Sequence, residues 1–303
     1  FAMMSNYWRG VAYSLMAAFF WAVMSPIAKV LSAAGINLIS VMAFRGIFVA
    51  ATMAPWLYFM RGKAFFFPPR SELIFYLNSG MLSVVLAGGG FLMSLAYLSV
   101  AEALILHYTF PLVTMLGSMY ITHEKPSPIQ IIAGFMIIAG VYSGMVGGDK
   151  TVAGMSIPGV FWGAVAVLGI SGQAILARLN VKKHQVDAMG MLFFGHLIGG
   201  IVLIALKSFF IGWNDLNNFT YWYFTILLLQ AFSGSLIAYG LFYSALKIIP
   251  AATVSLLCSL EMVIAVILTA MILGIIPSIQ EIFGCVIIIL AIVLVTFPSK
   301  RNN

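Results

Sequence analysis

Ile129-Gln-Ile-Ile-Ala-Gly-Phe-Met-Ile-Ile138 returns 150 positions later as Ile279-Gln-Glu-Ile-Phe-Gly-Cys-Val-Ile-Ile288. The shared isoleucines carry little weight, because apolar sequences match one another by chance. The paired Gln130 and Gln280 and the paired Gly134 and Gly284 carry more. The same offset lays Ser83, Gly90, Ser94 and Ala101 on Ser233, Gly240, Ser244 and Ala251. At an offset one shorter, Lys29 corresponds to Arg178. The chain therefore reads as two related halves, 1–150 and 151–303.

Each half is far too apolar for water. Of 303 residues, 63% are hydrophobic and 8% are charged, against about a quarter charged in soluble domains. A soluble globule of this composition would lack the polar groups to cover its surface. A membrane span needs roughly 20 mainly apolar residues, and the apolar runs predict ten. They fall near 8–31, 36–60, 71–97, 99–121, 128–147, 154–179, 186–207, 219–243, 250–273 and 278–297. Turn-forming residues separate them, among them Pro68-Pro69, Pro126-Ser-Pro128, Gly147-Gly148-Asp149 and the run Asn214-Asp215-Leu-Asn-Asn218. No hydrophilic stretch is long enough for a soluble domain. The first apolar run is too long for a cleaved leader and has no small-residue cleavage site.

Five spans per half is an odd number, so the second half must enter the membrane from the face opposite to the first. The expectation is an all-α membrane protein of ten transmembrane helices, built as two inverted five-helix repeats. Alternating-access transporters recurrently use this plan, with the site near the midplane. Charge sets the orientation. With the N-terminus cytoplasmic, the inner side receives Arg9, Arg61, Lys63, Arg70, Lys125, Arg178, Lys182, Lys183, Lys247, Lys300 and Arg301, and the outer side only Lys29, Lys150 and Lys207. That asymmetry places both termini in the cytoplasm. Trp8, Trp56, Trp213 and Trp222 fall near expected interfaces. The net charge of +7 thus reflects topology, and no nucleic-acid partner is implied. Cys258 and Cys285 lie inside apolar runs and read as inert thiols.

The stretch from Ala96-Tyr-Leu-Ser-Val-Ala-Glu-Ala103 through Phe110-Pro111 to Thr122-His-Glu124, then Ile129-Gln130 and Gly134, resembles the EamA repeat of the drug/metabolite transporter superfamily. Its counterpart runs from Ala245-Leu-Lys-Ile-Ile-Pro-Ala-Ala252 through Glu261-Met262 to Gly274, then Ile279-Gln280 and Gly284. Trp21 and Phe44-Arg45 look like early landmarks of the same family. The resemblance implies a pseudo-twofold ten-helix carrier with a central cavity. It also implies proton- or exchange-driven movement of amino acids or related metabolites. The second half departs from the pattern at Met262, where proline is common, and at Ile275, which replaces the acid matched by Glu124.

Several polar residues fall inside the spans. Glu261 lies at the centre of the ninth, where a carboxylate must be protonated, paired or facing a wet cavity. It reads as a coupling group or as a carboxylate locked to a neighbour. Arg45 in the second span keeps its proton and needs acceptors, so it holds a substrate carboxylate, pairs with Glu261 or ties helix ends together. His107, one turn before Pro111, and His196 titrate near neutrality and suit relays or hydrogen bonds to substrate, or plain packing. Trp21, Tyr108, Gln173, Gln230 and Tyr239 are candidate cavity-lining residues, the aromatics offering faces to cations. Pro26, Pro55, Pro111 and Gly88-Gly89-Gly90 are candidate bends or close-packing points. Glu102 and Glu124, near span ends, read as solvated.

Neither a phosphate loop for ATP, nor HExxH, nor a cysteine pair at zinc spacing is present, so no cofactor or metal is expected. The expectation is a secondary transporter, not an enzyme, in a bacterial cytoplasmic membrane. It would work as a monomer or homodimer, with a small metabolite as substrate and protons as the coupling ion. A zwitterion such as an amino acid suits Arg45 with Glu261, and an organic cation suits Glu261 among aromatics. A membrane enzyme would need clustered acids or histidines near one interface, and a channel would need more polar pore positions.

Overall fold

A computed structural model of the chain describes residues 2–98, 100–146, 156–183 and 186–297. Among these residues there are helices and connecting turns and no strand. Nine helical stretches are long and apolar enough to cross a membrane. They are α1 (Asn6–Ala33), α2 (Leu38–Arg61), α3 (Arg70–Ser94), α4 (Glu102–Ile121), α6 (Ile157–Lys183), α7 (Ala188–Phe210), α8 (Tyr221–Ile248), α9 (Ala251–Leu273) and α10 (Ile279–Thr296). Between α4 and α6 lies α5 (Pro128–Val146), whose apolar part, Pro128–Gly144, is shorter. The expected turn at Gly147-Gly148-Asp149 lies outside the described residues, as do Lys150, Lys300 and Arg301 of the charge count. Ile157, Phe209 and Ile276 are each more than four-fifths exposed. Lipid would cover such side chains at no cost.

The packing obeys a twofold rule. α1 lies against α8 and α9 as α6 lies against α3 and α4, and α3 meets α7 as α8 meets α2. Two helices pair with their own repeat mates, α2 with α7 and α5 with α10. Both pairs run antiparallel. A Cβ on Gly46 would meet the His196 carbonyl oxygen at 2.6 Å, while Arg61, at the far end of α2, reaches Asp187 at the start of α7. In the other pair Gly140 abuts Gly284 while Gly144 abuts Glu281. A twofold axis relating antiparallel helices lies across them. For helices that cross a bilayer, that axis lies in the membrane plane.

The α2–α7 pair is fastened at both ends. Asn37 and Asp187 cap α2 and α7, each accepting from the amide two residues on, at 2.8 and 3.3 Å. At one end the Arg61–Asp187 pair, 3.0 Å apart, is largely exposed and contributes little. At the other, Asp215 between α7 and α8 accepts from Lys207 at 3.0 Å, Ser40 at 2.6 Å and the Asn37 amide at 3.1 Å. The Lys207 side chain is 1% exposed and that of Asp215 10%. Lys207 also donates to the Gly212 carbonyl at 2.6 Å and lies 4.8 Å from the Trp213 ring centre. Burial alone would push the Asp215 carboxyl up. The hydrogen bonds from Ser40, Lys207 and Asn37, with the Lys207 charge, outweigh it and hold the carboxyl below its usual range.

Two predictions follow from this packing. Gly46→Val should wedge α2 from α7 and lower the melting temperature in detergent, by an overpacking cost of about 1–3 kcal/mol. Gly240→Ala, whose added methyl meets nothing within 4 Å, should leave it unchanged. Asp215→Asn removes one partner of a buried pair, a loss on the order of 3 kcal/mol. Because the folded carboxyl is depressed, its contribution is present above the unfolded value near 3.8 and disappears as pH falls through the folded value. The stability gap between native protein and Asp215→Asn should stay constant from neutral pH down to about 3.8, shrink as pH falls from there through the folded value, and level off below it.

Candidate functional site

Three spans break or tighten in mid-course, and the breaks converge. α1 divides at Val23 into Ala2–Ala22 and Met24–Ala33. Pro26 has no amide to offer the Ala22 carbonyl, four residues earlier. α4 divides around Thr109, whose amide turns back to the Leu106 carbonyl at 3.0 Å, and Pro111 deprives the His107 carbonyl of its helical partner. α9 divides at Ser259, which takes nearly the same backbone conformation as Thr109: φ −64°, ψ −12° against φ −75°, ψ −13°. This register sets Glu261 opposite Pro111, one residue before the Met262 expected at that place. Both are the second residue of the helix that follows the turn. α3 and α8 loosen into π-helical turns at matching places, Met81–Gly89 and Ala231–Ile237.

Of the proposed bends, Pro55 lies within a continuous α2 on its exposed face. Gly88-Gly89-Gly90 ends the π-helical turn of α3, where Gly90 approaches the backbone of Ala166 and Gly88 clears the Met42 methyl. Glu102 and Glu124 are not solvated as their positions suggested. Glu102 is 5% exposed, and the Glu124 side chain is 13% exposed and ion-paired.

Glu261 lies in the first turn of the second half of α9. Freed amides at a helix start favour negative charge there. Among the described residues no hydrogen bond or ion pair engages its carboxylate, and neither oxygen belongs to the sealed, unpartnered atoms, so both reach accessible space. Arg45, Tyr108, Tyr239 and Cys258 lie within its electrostatic reach. Arg45 is 5% exposed. Its one hydrogen bond among the described residues goes to the Met24 sulfur at 3.4 Å, a weak acceptor. The two opposite charges feel one another without closing to an ion pair.

Aromatic rings cluster beside this pair, Tyr239 within reach of both charges and Tyr108 within reach of Glu261. Tyr239 stands edge-on to Trp21 at 5.3 Å and to His196 at 5.1 Å. Trp21 also meets Phe242 at 5.2 Å. His196 Nδ1 lies 2.8 Å from the Leu192 carbonyl and so carries the proton. Its Nε2 is sealed and unpartnered. His107 packs among Phe91, Tyr108 and Phe110, 5.1–5.6 Å between ring centres, with Nδ1 unpartnered. Gln230 donates to the Met24 carbonyl at 3.4 Å. Gln173 donates to Ser79 at 3.1 Å and to Tyr243 at 2.5 Å, and Tyr243 continues to Tyr239 at 5.8 Å between rings. Trp21, Arg45, His107, Tyr108, Gln173, His196, Gln230, Tyr239 and Glu261 thus form one connected region. Sequence reading missed Met24 and Tyr243, an apolar residue and a phenol among many in apolar runs.

The family-model comparison matches residues 8–143 and again 157–297, each as an EamA-like transporter domain. The chain belongs to the EamA-like transporter family. Its two copies of the domain coincide with the two halves related by the twofold axis. A solved structure titled only "Crystal structure of protein" superposes with a TM-score of 0.77 at 15% identity, covering 94% of this chain and 95% of the other. That likeness concerns the fold alone. Comparison with curated proteins gives no match. As a member of a transporter family, the chain is a multi-pass membrane transporter.

Proposed function

We propose that this transporter is a ten-span secondary carrier of a small zwitterionic metabolite, an amino acid or a close relative. It sits in a bacterial cytoplasmic membrane with both termini inside. It works by alternating access around a central site, with proton binding at Glu261 coupled to substrate movement. One observation carries the reading: Arg45 and Glu261 lie within electrostatic reach of one another inside their spans, yet among the described residues neither closes on the other or on a strong partner. An ionised group in hydrocarbon is costly unless it is paired or wet. A ligand with a carboxylate and an ammonium group supplies both missing partners. The guanidinium takes the carboxylate in its fork, Glu261 takes the ammonium, and Trp21, Tyr108 and Tyr239 flank the remainder. When the substrate leaves, a proton on Glu261 replaces its ammonium.

A second reading has the same region take an organic cation. The aromatic rings around Glu261 favour it, since they attract cations, and Arg45 then stays on Met24 as a structural group.

Proteoliposome assays separate the two. With pooled amino acids outside, internal pH should change for the native protein and stay flat for Glu261→Gln, expressed at the native level. Arg45→Gln should raise the apparent KM for a zwitterion at least tenfold. If organic cations alone drive flux and Arg45→Gln leaves it intact, the zwitterion reading fails. Proton-linked flux of native size in Glu261→Gln would remove that residue from the coupling.

A further inference from the structure

Glu124 lies in the turn between α4 and α5 and is held from several sides. Arg178 Nε of α6 donates to Glu124 Oε1 at 2.7 Å, and Lys182 Nζ approaches the same oxygen at 3.3 Å. Thr122 Oγ1 donates to the other oxygen at 3.4 Å, and the Glu124 amide reaches back to the Ser118 carbonyl at 3.1 Å. Arg178 Nη1 also donates to the Leu246 carbonyl near the end of α8 at 2.7 Å, and Lys182 to the Thr122 carbonyl at 2.6 Å. The Arg178 and Glu124 side chains are only 14% and 13% exposed. His123, just before the acid, takes a positive φ of 56°, uncommon for a side-chain-bearing residue. One ion pair thus draws three elements together across one end of the bundle.

Between this cluster and the Arg45–Glu261 region lies polar lining with nothing to bind. The hydroxyls of Thr114 and Ser118 on α4 and Ser255 on the first half of α9 are fully buried and unpartnered. The two segments pack side by side. A sealed, unpaired hydroxyl is destabilising, a penalty that vanishes when water reaches it. At the opposite end the buried Lys207–Asp215 pair ties α7 to the start of α2, but among the described residues no ion pair joins α1 to α9. The repeat mate of Arg178 is Lys29, exposed and without an ion pair among the described residues. At the place of Glu124's mate stands Ile275, 52% exposed. The α2–α7 pair differs in this respect, being fastened at both ends.

We infer that Glu124 and Arg178 latch one mouth of the central path, that no matching ion pair among the described residues ties α1 to α9 at the other mouth, and that the molecule therefore rests closed at the Glu124 end. The hydroxyls of Thr114, Ser118 and Ser255 line the half of the path that opening hydrates. The inference goes beyond the proposed function but takes from it the transport reading and the orientation, which makes the latched mouth cytoplasmic.

The test uses the full chain with Cys258→Ser, Cys285→Ser and Ser118→Cys, in right-side-out and inside-out vesicles, probed with a membrane-impermeant maleimide. The latched protein should label slowly. Glu124→Gln should raise the labelling rate at least tenfold from the cytoplasmic face, and Arg178→Gln, which breaks the pair from its other side, should do the same. A monodisperse size-exclusion profile establishes that each variant is folded. Unchanged labelling in either folded variant overturns the latch. Faster labelling from the opposite face supports the latch and overturns the orientation. Faster labelling without counterflow by any amino acid or cation supports the latch and counts against the transport reading.

Discussion

The close approach of Gly46 on α2 to the backbone of α7 governs the rest of the molecule. There the two halves meet at their axis with almost no side chain between them, since Gly46 faces the His196 carbonyl and Gly200 faces the Ala43 carbonyl. Apolar spans gain nothing from burying greasy surface in lipid, so close backbone packing at small residues must hold them. The same contact decides what lies at the centre. Arg45 is the neighbour of Gly46, and His196 supplies the carbonyl that Gly46 touches. The candidate site therefore lies beside the axis, where both halves contribute.

A second constraint shapes the helices around that axis. Within hydrocarbon each backbone donor and acceptor needs a protein or water partner, so irregular backbone survives only inside the bundle. α1, α4 and α9 break there, and α3 and α8 loosen there. Thr109 and Ser259 show how the repeat divides the work. Both halves make the same tight turn at the same position. The first half follows it with Pro111, which enforces the turn, and the second with Glu261, which gives the turn a charge to stabilise.

Nine of the ten expected spans were legible because charge is scarce and each of those runs is long enough to cross; the apolar part of the fifth, α5, is shorter. The pseudo-twofold plan was legible from a few paired glycines, serines and glutamines. Arg45 and Glu261 stood out as charges deep inside apolar runs. A pairing of the two was among the readings, but that they stop short of an ion pair was not legible, since residues 45 and 261 approach one another only through the packing of whole helices. Met24 was invisible for a related reason: nothing in an apolar run shows which thioether will face a guanidinium. Glu124 was misread because an acid at a span end looks solvated until Arg178, 54 residues later, is folded against it. The π-helical turns leave no trace in periodicity, because one inserted residue shifts a helical face only once.

α1 is interrupted at Val23, while its repeat mate α6 runs unbroken from Ile157 to Lys183. Under the alternating access proposed above, the two strokes are not mirror images: one bends about a joint, and the other swings as a rod. Detailed balance limits what that inequality accomplishes. Unequal helices set how long each face is presented and how fast each reorientation runs, but the product of rates around a closed cycle stays fixed by the gradients of substrate and coupling ion. An asymmetric skeleton makes such a carrier faster or tighter on one side, and never a one-way valve.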